Sequence, residues 1–253
     1  MRPLVAITSV TFREVLRRKV QVNLLVFGSL VILASLMISK LTIGEQHRIL
    51  SDLGLSAMTA IGTLIAVFVG SSLVAGDIER RVLQPVIAKP ATRTQYVVGR
   101  WLGLSLALLL NLAVMAVVLA GVLSLEAGSL RPVDASLAGA VAMLGVQFVV
   151  VAAVATLFSC VTSVTLAAIF TLAVAFAGHL TNEVRAIWQG EGTWVPALVW
   201  YLVPNLGSLS LNAAVIYRTP VPATAWLAAG YGALYAATAL ALASLAFERR
   251  DLR

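Results

Sequence analysis

Six runs of apolar residues are long enough to cross about 30 Å of hydrocarbon: 20–38, 55–76, 101–125, 136–158, 164–181 and 223–247. None of the six contains Lys, Arg, Asp or Glu. Each therefore predicts a helix that satisfies its own backbone groups in lipid. A seventh run, 195–216, is apolar on average but carries Pro196, Pro204, Asn205, Ser208, Ser210 and Asn212. Backbone interrupted by proline at membrane depth needs cover from protein or water, so this segment is predicted to be re-entrant or interfacial. Ahead of the first run, residues 1–19 form an amphipathic helix when wound at 100° per residue. Leu4, Val5, Phe12, Val15 and Leu16 share one face, with Arg2, Arg13, Glu14 and Arg17 opposite. Such a helix is expected to lie in the membrane interface, with Phe12, Arg13, Arg17 and Arg18 meeting either lipid or a cytoplasmic partner.

These elements predict an all-α membrane protein built as a single transmembrane domain over 1–253, with no long-period repeat and no low-complexity linker. Composition agrees: 60% of the residues are hydrophobic, 11% are charged, and mean hydropathy is +0.97. Six spans leave little chain for a soluble catalytic domain. The net charge of +7 does not gather in one polar domain, as a nucleic-acid surface would require; the basic residues flank the apolar runs instead. A charged stretch precedes the first run and no small-residue cleavage site follows it, so that span is expected to remain in place.

The flanking charges predict topology, because Lys and Arg concentrate on the cytoplasmic side. With six spans, that side receives Arg2, Arg13, Arg17, Arg18, Lys19, Arg80, Arg81, Lys89, Arg93, Arg100, Arg249, Arg250 and Arg253. The outer side receives only Lys40, Arg48, Arg131, Arg185 and Arg218. A seventh full span would send the three C-terminal arginines outside. Six spans with both termini in the cytoplasm fit better.

The stretch between the second and third spans is the richest in signals. Pro85 and Pro90 break helical hydrogen bonding, and Thr92 with Gln95 matches a capping box that starts the next helix. A short helix projecting from the membrane and turning back at a fixed angle is expected. Gly99 and Gly103, a small-xxx-small pair at the start of the third span, follow a pattern common by chance in membrane helices and receive no assignment from sequence.

The run Asp77-Ile-Glu-Arg-Arg, then Val-Leu-Gln-Pro-Val-Ile-Ala-Lys-Pro, then Thr-Arg-Thr-Gln-Tyr-Val-Val-Gly-Arg100 resembles the coupling-helix region of type-2 ATP-binding-cassette (ABC) transporter permeases. The amphipathic start is similar to that family's connecting helix, Pro204-Asn205-Leu206 to its outer re-entrant region, and the tail Phe247-Glu-Arg-Arg-Asp-Leu252 to its usual C-terminus. Family members commonly have Gly-Thr where this chain has Arg81-Val82. The resemblance implies a non-catalytic permease subunit, an exporter, in the cytoplasmic (inner) membrane. Glu79, Arg80, Arg81, Leu83, Gln84, Pro85, Val86, Ile87 and Lys89 would fit a groove on a separate ABC ATPase subunit. Two ATPase copies would serve two permease copies, as a homodimer or with a similar heteropartner, and a periplasmic accessory protein is a further candidate partner.

ATP and Mg would bind the ATPase. A P-loop needs Gly-Lys-Ser/Thr, whereas Lys19, Lys40 and Lys89 follow Arg, Ser and Ala. No cofactor, metal or nucleic acid is expected on this chain itself. Asn111 and Gln147 are candidates for a substrate path, although bonding between helices is the commoner use of such residues. His179 and Glu183 sit four apart, but His47 is the only other histidine, too few for a metal site. Cys160 lacks a histidine partner and is assigned to packing. Two other readings stand beside the permease: an ATPase-linked scaffold that transmits force without moving cargo, and a self-contained channel or secondary carrier. An intramembrane hydrolase ranks below both, for want of ionisable groups at depth.

Overall fold

Each apolar run coincides with most or all of one helix, because a lipid-facing backbone has no other partner for its N–H and C=O groups. The computed structural model describes residues 2–39, 46–79, 92–127, 135–187, 203–217 and 219–249. In chain order the helices are α1 (Arg2–Leu16), α2 (Lys19–Ser39), α3 (Gln46–Glu79), α4 (Arg93–Ala127), α5 (Ala135–Val161), α6 (Val164–Ile187), α7 (Asn212–Ile216) and α8 (Ala225–Arg249). A single 3-10 turn, Gly207–Leu209, precedes α7. Six of these helices, α2 to α6 and α8, are long and apolar enough to span a membrane.

α3 and α4 are longer than their apolar runs, at 34 and 35 residues. At 1.5 Å per residue each measures about 50 Å, well beyond the hydrocarbon core. The extra turns carry Arg48 and Asp52 on α3 and Tyr96 and Arg100 on α4. Such residues are compatible with a helix and only exclude it from lipid. The start of α4 is capped as the sequence predicts: Thr92 N–H donates to Gln95 Oε1 at 3.3 Å, and Gln95 N–H to Thr92 Oγ1 at 3.2 Å.

α3 and α5 form the centre. Two thirds of the apolar window of each is buried (67%), against 22% for α2 and 28% for α6. Gly62 leaves room for the Phe148 ring, 2.0 Å from where a Cβ would lie, and the two backbones approach closely at Gly70, where an added Cβ would lie 2.6 Å from Ala155 Cβ. α2, α6 and α8 pack outside them and leave apolar faces open, among them Phe27 and Leu30 on α2 and Ile169 and Phe176 on α6. That pattern suits helices with lipid as solvent on one side.

Among the described residues the proline-bearing segment forms no spanning helix; residues 195–202 lie outside them. From 203 to 217 it holds only the 3-10 turn and the five-residue α7, and it wedges against α3, α5, α6 and α8. Leu206 N–H donates to Gly178 O at 3.1 Å, and a Cβ at Gly178 would stand 2.5 Å from the Pro204 carbonyl oxygen. Asn205 N–H donates to the Tyr231 hydroxyl at 3.1 Å, and Asn205 Oδ1 accepts from Ser208 N–H at 3.0 Å.

Candidate functional site

Polar side chains concentrate at one end of the bundle, where α1, the end of α3, the start of α4, the α5–α6 turn and the end of α8 meet. This base surrounds the two residues that bracket segment 80–91, Glu79 and Thr92. Its centre is Arg100, only 7% exposed. A guanidinium buried to that degree needs its donors occupied. It bonds Asp77 of α3 and Glu14 of α1 by its two terminal nitrogens, Thr11 Oγ1 at 3.4 Å, and the Tyr96 hydroxyl through Nε at 3.2 Å. The Tyr96 hydroxyl in turn donates to Asp77.

Glu14 also accepts from Arg18 Nη2 at 2.6 Å, and Arg18 reaches on to the Ser72 hydroxyl of α3. Two carboxylates therefore face two guanidiniums. Burial would raise the Glu14 carboxyl, but Arg100 and Arg18 beside it hold it below the ordinary carboxylate value. Sequence periodicity grouped Glu14 with the outward arginines. The structure instead turns it toward α4, since Leu4, Ile7, Thr8 and Thr11 are the residues that meet Gly99 and Gly103, and Glu14 lies on the same side. The glycine pair left without a role by sequence is thus where α1 docks: a Cβ at Gly103 would stand 2.5 Å from Thr11 Cβ and 2.8 Å from the Thr8 carbonyl oxygen.

Both roots of segment 80–91 are tied to further helices. Glu79 Oε1 accepts from Val164 N–H at 3.3 Å, at the first residue of α6. Arg93 Nη1 donates to the Glu248 and Phe247 carbonyls at 2.9 and 3.4 Å, placing a cation on the C-terminus of α8. Thr94 Oγ1 donates to Glu248 Oε1 at 3.1 Å, and Tyr96 stacks on Phe247 with centroids 5.8 Å apart. One turn before Asp77, Ser159 of α5 crosses to α3. Its hydroxyl donates to Ser71 O at 2.8 Å and accepts from Val74 and Ala75 N–H at 3.1 and 2.9 Å.

Of the residues proposed to meet an ATPase, Glu79 belongs to this base. Arg80, Arg81, Leu83, Gln84, Pro85, Val86, Ile87 and Lys89 lie outside the described residues. On α1, Arg13 and Arg17 are exposed, Phe12 packs partly against the core, and Arg18 turns inward. Asn111 and Gln147 lie far from the base and are buried between helices. Asn111 Oδ1 accepts from Gln21 of α2 at 3.4 Å, and Gln147 pairs with His179 of α6 at 3.0 Å. Cys160 is buried, and no group of three His, Cys, Asp or Glu side chains gathers as a metal site among the described residues.

Sequence reading missed Asp77, Tyr96, Arg100, Glu14 and Ser159 as one constellation. Its one visible trace was the spacing of Tyr96 and Arg100, four apart on one helix face next to the third apolar run. No protein-family model matches the chain, and no curated protein is similar enough to match it.

Proposed function

We propose that the chain is the membrane-spanning permease subunit of an ATP-driven transporter of the type-2 ABC kind, working as an exporter, with the polar base facing the cytoplasm. The observation that carries this reading is the anchoring on either side of segment 80–91: Glu79 on α6, and Arg93 and Thr94 on α8. A segment held at both roots by other helices moves those helices when it is pushed, whereas a loosely tethered loop would absorb the push. Glu79, Arg80 and Arg81 supply polar contacts to the ATPase, and Leu83, Val86 and Ile87 fill an apolar slot on it. Two permease copies enclose the path and two ATPase copies clamp below. ATP-driven closure then shifts the pair between two conformations with different affinity for cargo. The chain makes and breaks no bond in this cycle.

The test is association. The protein is purified with its ATPase, and Arg80→Glu with Arg81→Glu is expected to release the ATPase while leaving the permease folded. Retention of the ATPase by that variant, labelling of Arg93→Cys from the outer side, or transport by the chain without any ATPase would each end the proposal.

A further inference from the structure

The one histidine inside a span, His179, is held in a way that fixes its protonation chemistry. Its Nδ1 lies 2.8 Å from the carbonyl oxygen of Ala175. A carbonyl oxygen only accepts, so Nδ1 carries the ring proton. In neutral His179, Nε2 is then a bare acceptor, and the Gln147 amide on α5 donates to it at 3.0 Å.

That arrangement leaves a cost behind. Gln147 is 0% exposed and its Oε1 has no hydrogen-bond partner, an expensive omission for a buried acceptor. The same oxygen fits the other charge state of the ring. An imidazolium has two donors and no acceptor. Adding a proton to Nε2 would set donor against donor, and a half-turn of the Gln147 amide relieves this by bringing Oε1 to face the new N–H. Both imidazolium donors then end on oxygens, Ala175 O and Gln147 Oε1; the amide N–H groups take the place the oxygen had, so the gain lies in the charge-assisted bonds, which are stronger than neutral ones.

We propose that His179 and Gln147 form a proton-binding site that clamps α6 to α5 more tightly when loaded. A proton from water adds to the Nε2 lone pair, one N–H bond forms and none breaks. His179 is only partly buried.

α5 carries no acidic or basic side chain, and its one thiol, Cys160, is at the base. α3 carries His47, Arg48 and Asp52 at one end and Asp77 and Glu79 at the other, and the segment 203–217 brings only Tyr217, bonded to Arg48 at 3.0 Å. On α6 itself, Glu183 and Arg185 follow in the next two turns. This proposal stands independently of the transport reading.

Magic-angle NMR of the full chain in lipid bilayers tests it, with ¹⁵N in histidine rings and glutamine side chains and His47→Asn to leave one ring. At about pH 8 the single ring proton is expected on Nδ1. Toward about pH 5 the second nitrogen gains its proton, and the Gln147 amide signals move in the same titration. Finding the neutral proton on Nε2, a ring that stays neutral across this range, or Gln147 signals that ignore ring protonation would overturn the proposal.

Discussion

Ser159 donates its hydroxyl hydrogen to the Ser71 carbonyl at 2.8 Å while accepting from the amides three and four residues further along α3. One small side chain on α5 thus enters the hydrogen-bond ladder of its neighbour. Ser159→Ala removes the bridge from a fully buried position, and a loss of about 1 kcal/mol in bilayer unfolding measurements is expected. Ser159→Thr, which keeps the hydroxyl, separates that loss from a packing effect.

The Arg100 cluster gives a sharper contrast. Replacing Arg100 by Met removes the ion-pair partner of Asp77, whose side chain is only 16% exposed. Removing one partner of a buried ion pair costs about 3–5 kcal/mol. Changing Arg100→Met and Asp77→Leu together is expected to recover much of it, because two apolar groups need no charge partner. A double-mutant cycle on thermal stability measures this, and additive losses would contradict it.

Docking of α1 depends on Gly103, where an added Cβ meets the Thr8 carbonyl, a backbone atom that cannot turn away. Gly103→Ala should cost about 1–3 kcal/mol and expose α1 to protease. On the same helix Gly121 has nothing within 4 Å of an added Cβ. Gly121→Ala is therefore expected to be neutral or stabilising by about 0.5–1 kcal/mol.

Acid should loosen α1. Glu14 binds its proton more weakly when folded than when free, because Arg100 and Arg18 favour the carboxylate. Its contribution is fully present above the ordinary carboxylate value and is lost as pH falls through the depressed folded one. Hydrogen exchange in α1 should therefore rise on acidification into and below that window. Glu14→Gln should show the raised exchange already at neutral pH, and an α1 whose exchange does not respond to acid would refute the account.

The spans were legible because lipid enforces one rule on every residue between 20 and 38 or between 136 and 158. The Thr92–Gln95 cap was legible because it is local, two side chains closing one turn. Arg100 was visible only as a basic residue beside a span. Its partners lie 23 positions away on α3 and 86 away on α1, and no periodicity links Asp77, Arg100 and Glu14. The extra turns of α3 and α4 escaped because hydropathy reports tolerance of lipid and is silent about helices that continue past it. The inward turn of Glu14 depended on which face of α1 meets glycine, a fact set by α4.

The separation of Glu14 from Arg100, 86 positions along the chain, also orders events during synthesis. At roughly 5–20 residues per second, Glu14 is synthesised about 4–17 seconds before Arg100 exists. For that interval Glu14 has only Arg18 as a partner, and the groove at Gly99 and Gly103 has yet to be made. α1 therefore finds its place only after α4 has been made, and a nascent chain halted before residue 93 should carry α1 undocked.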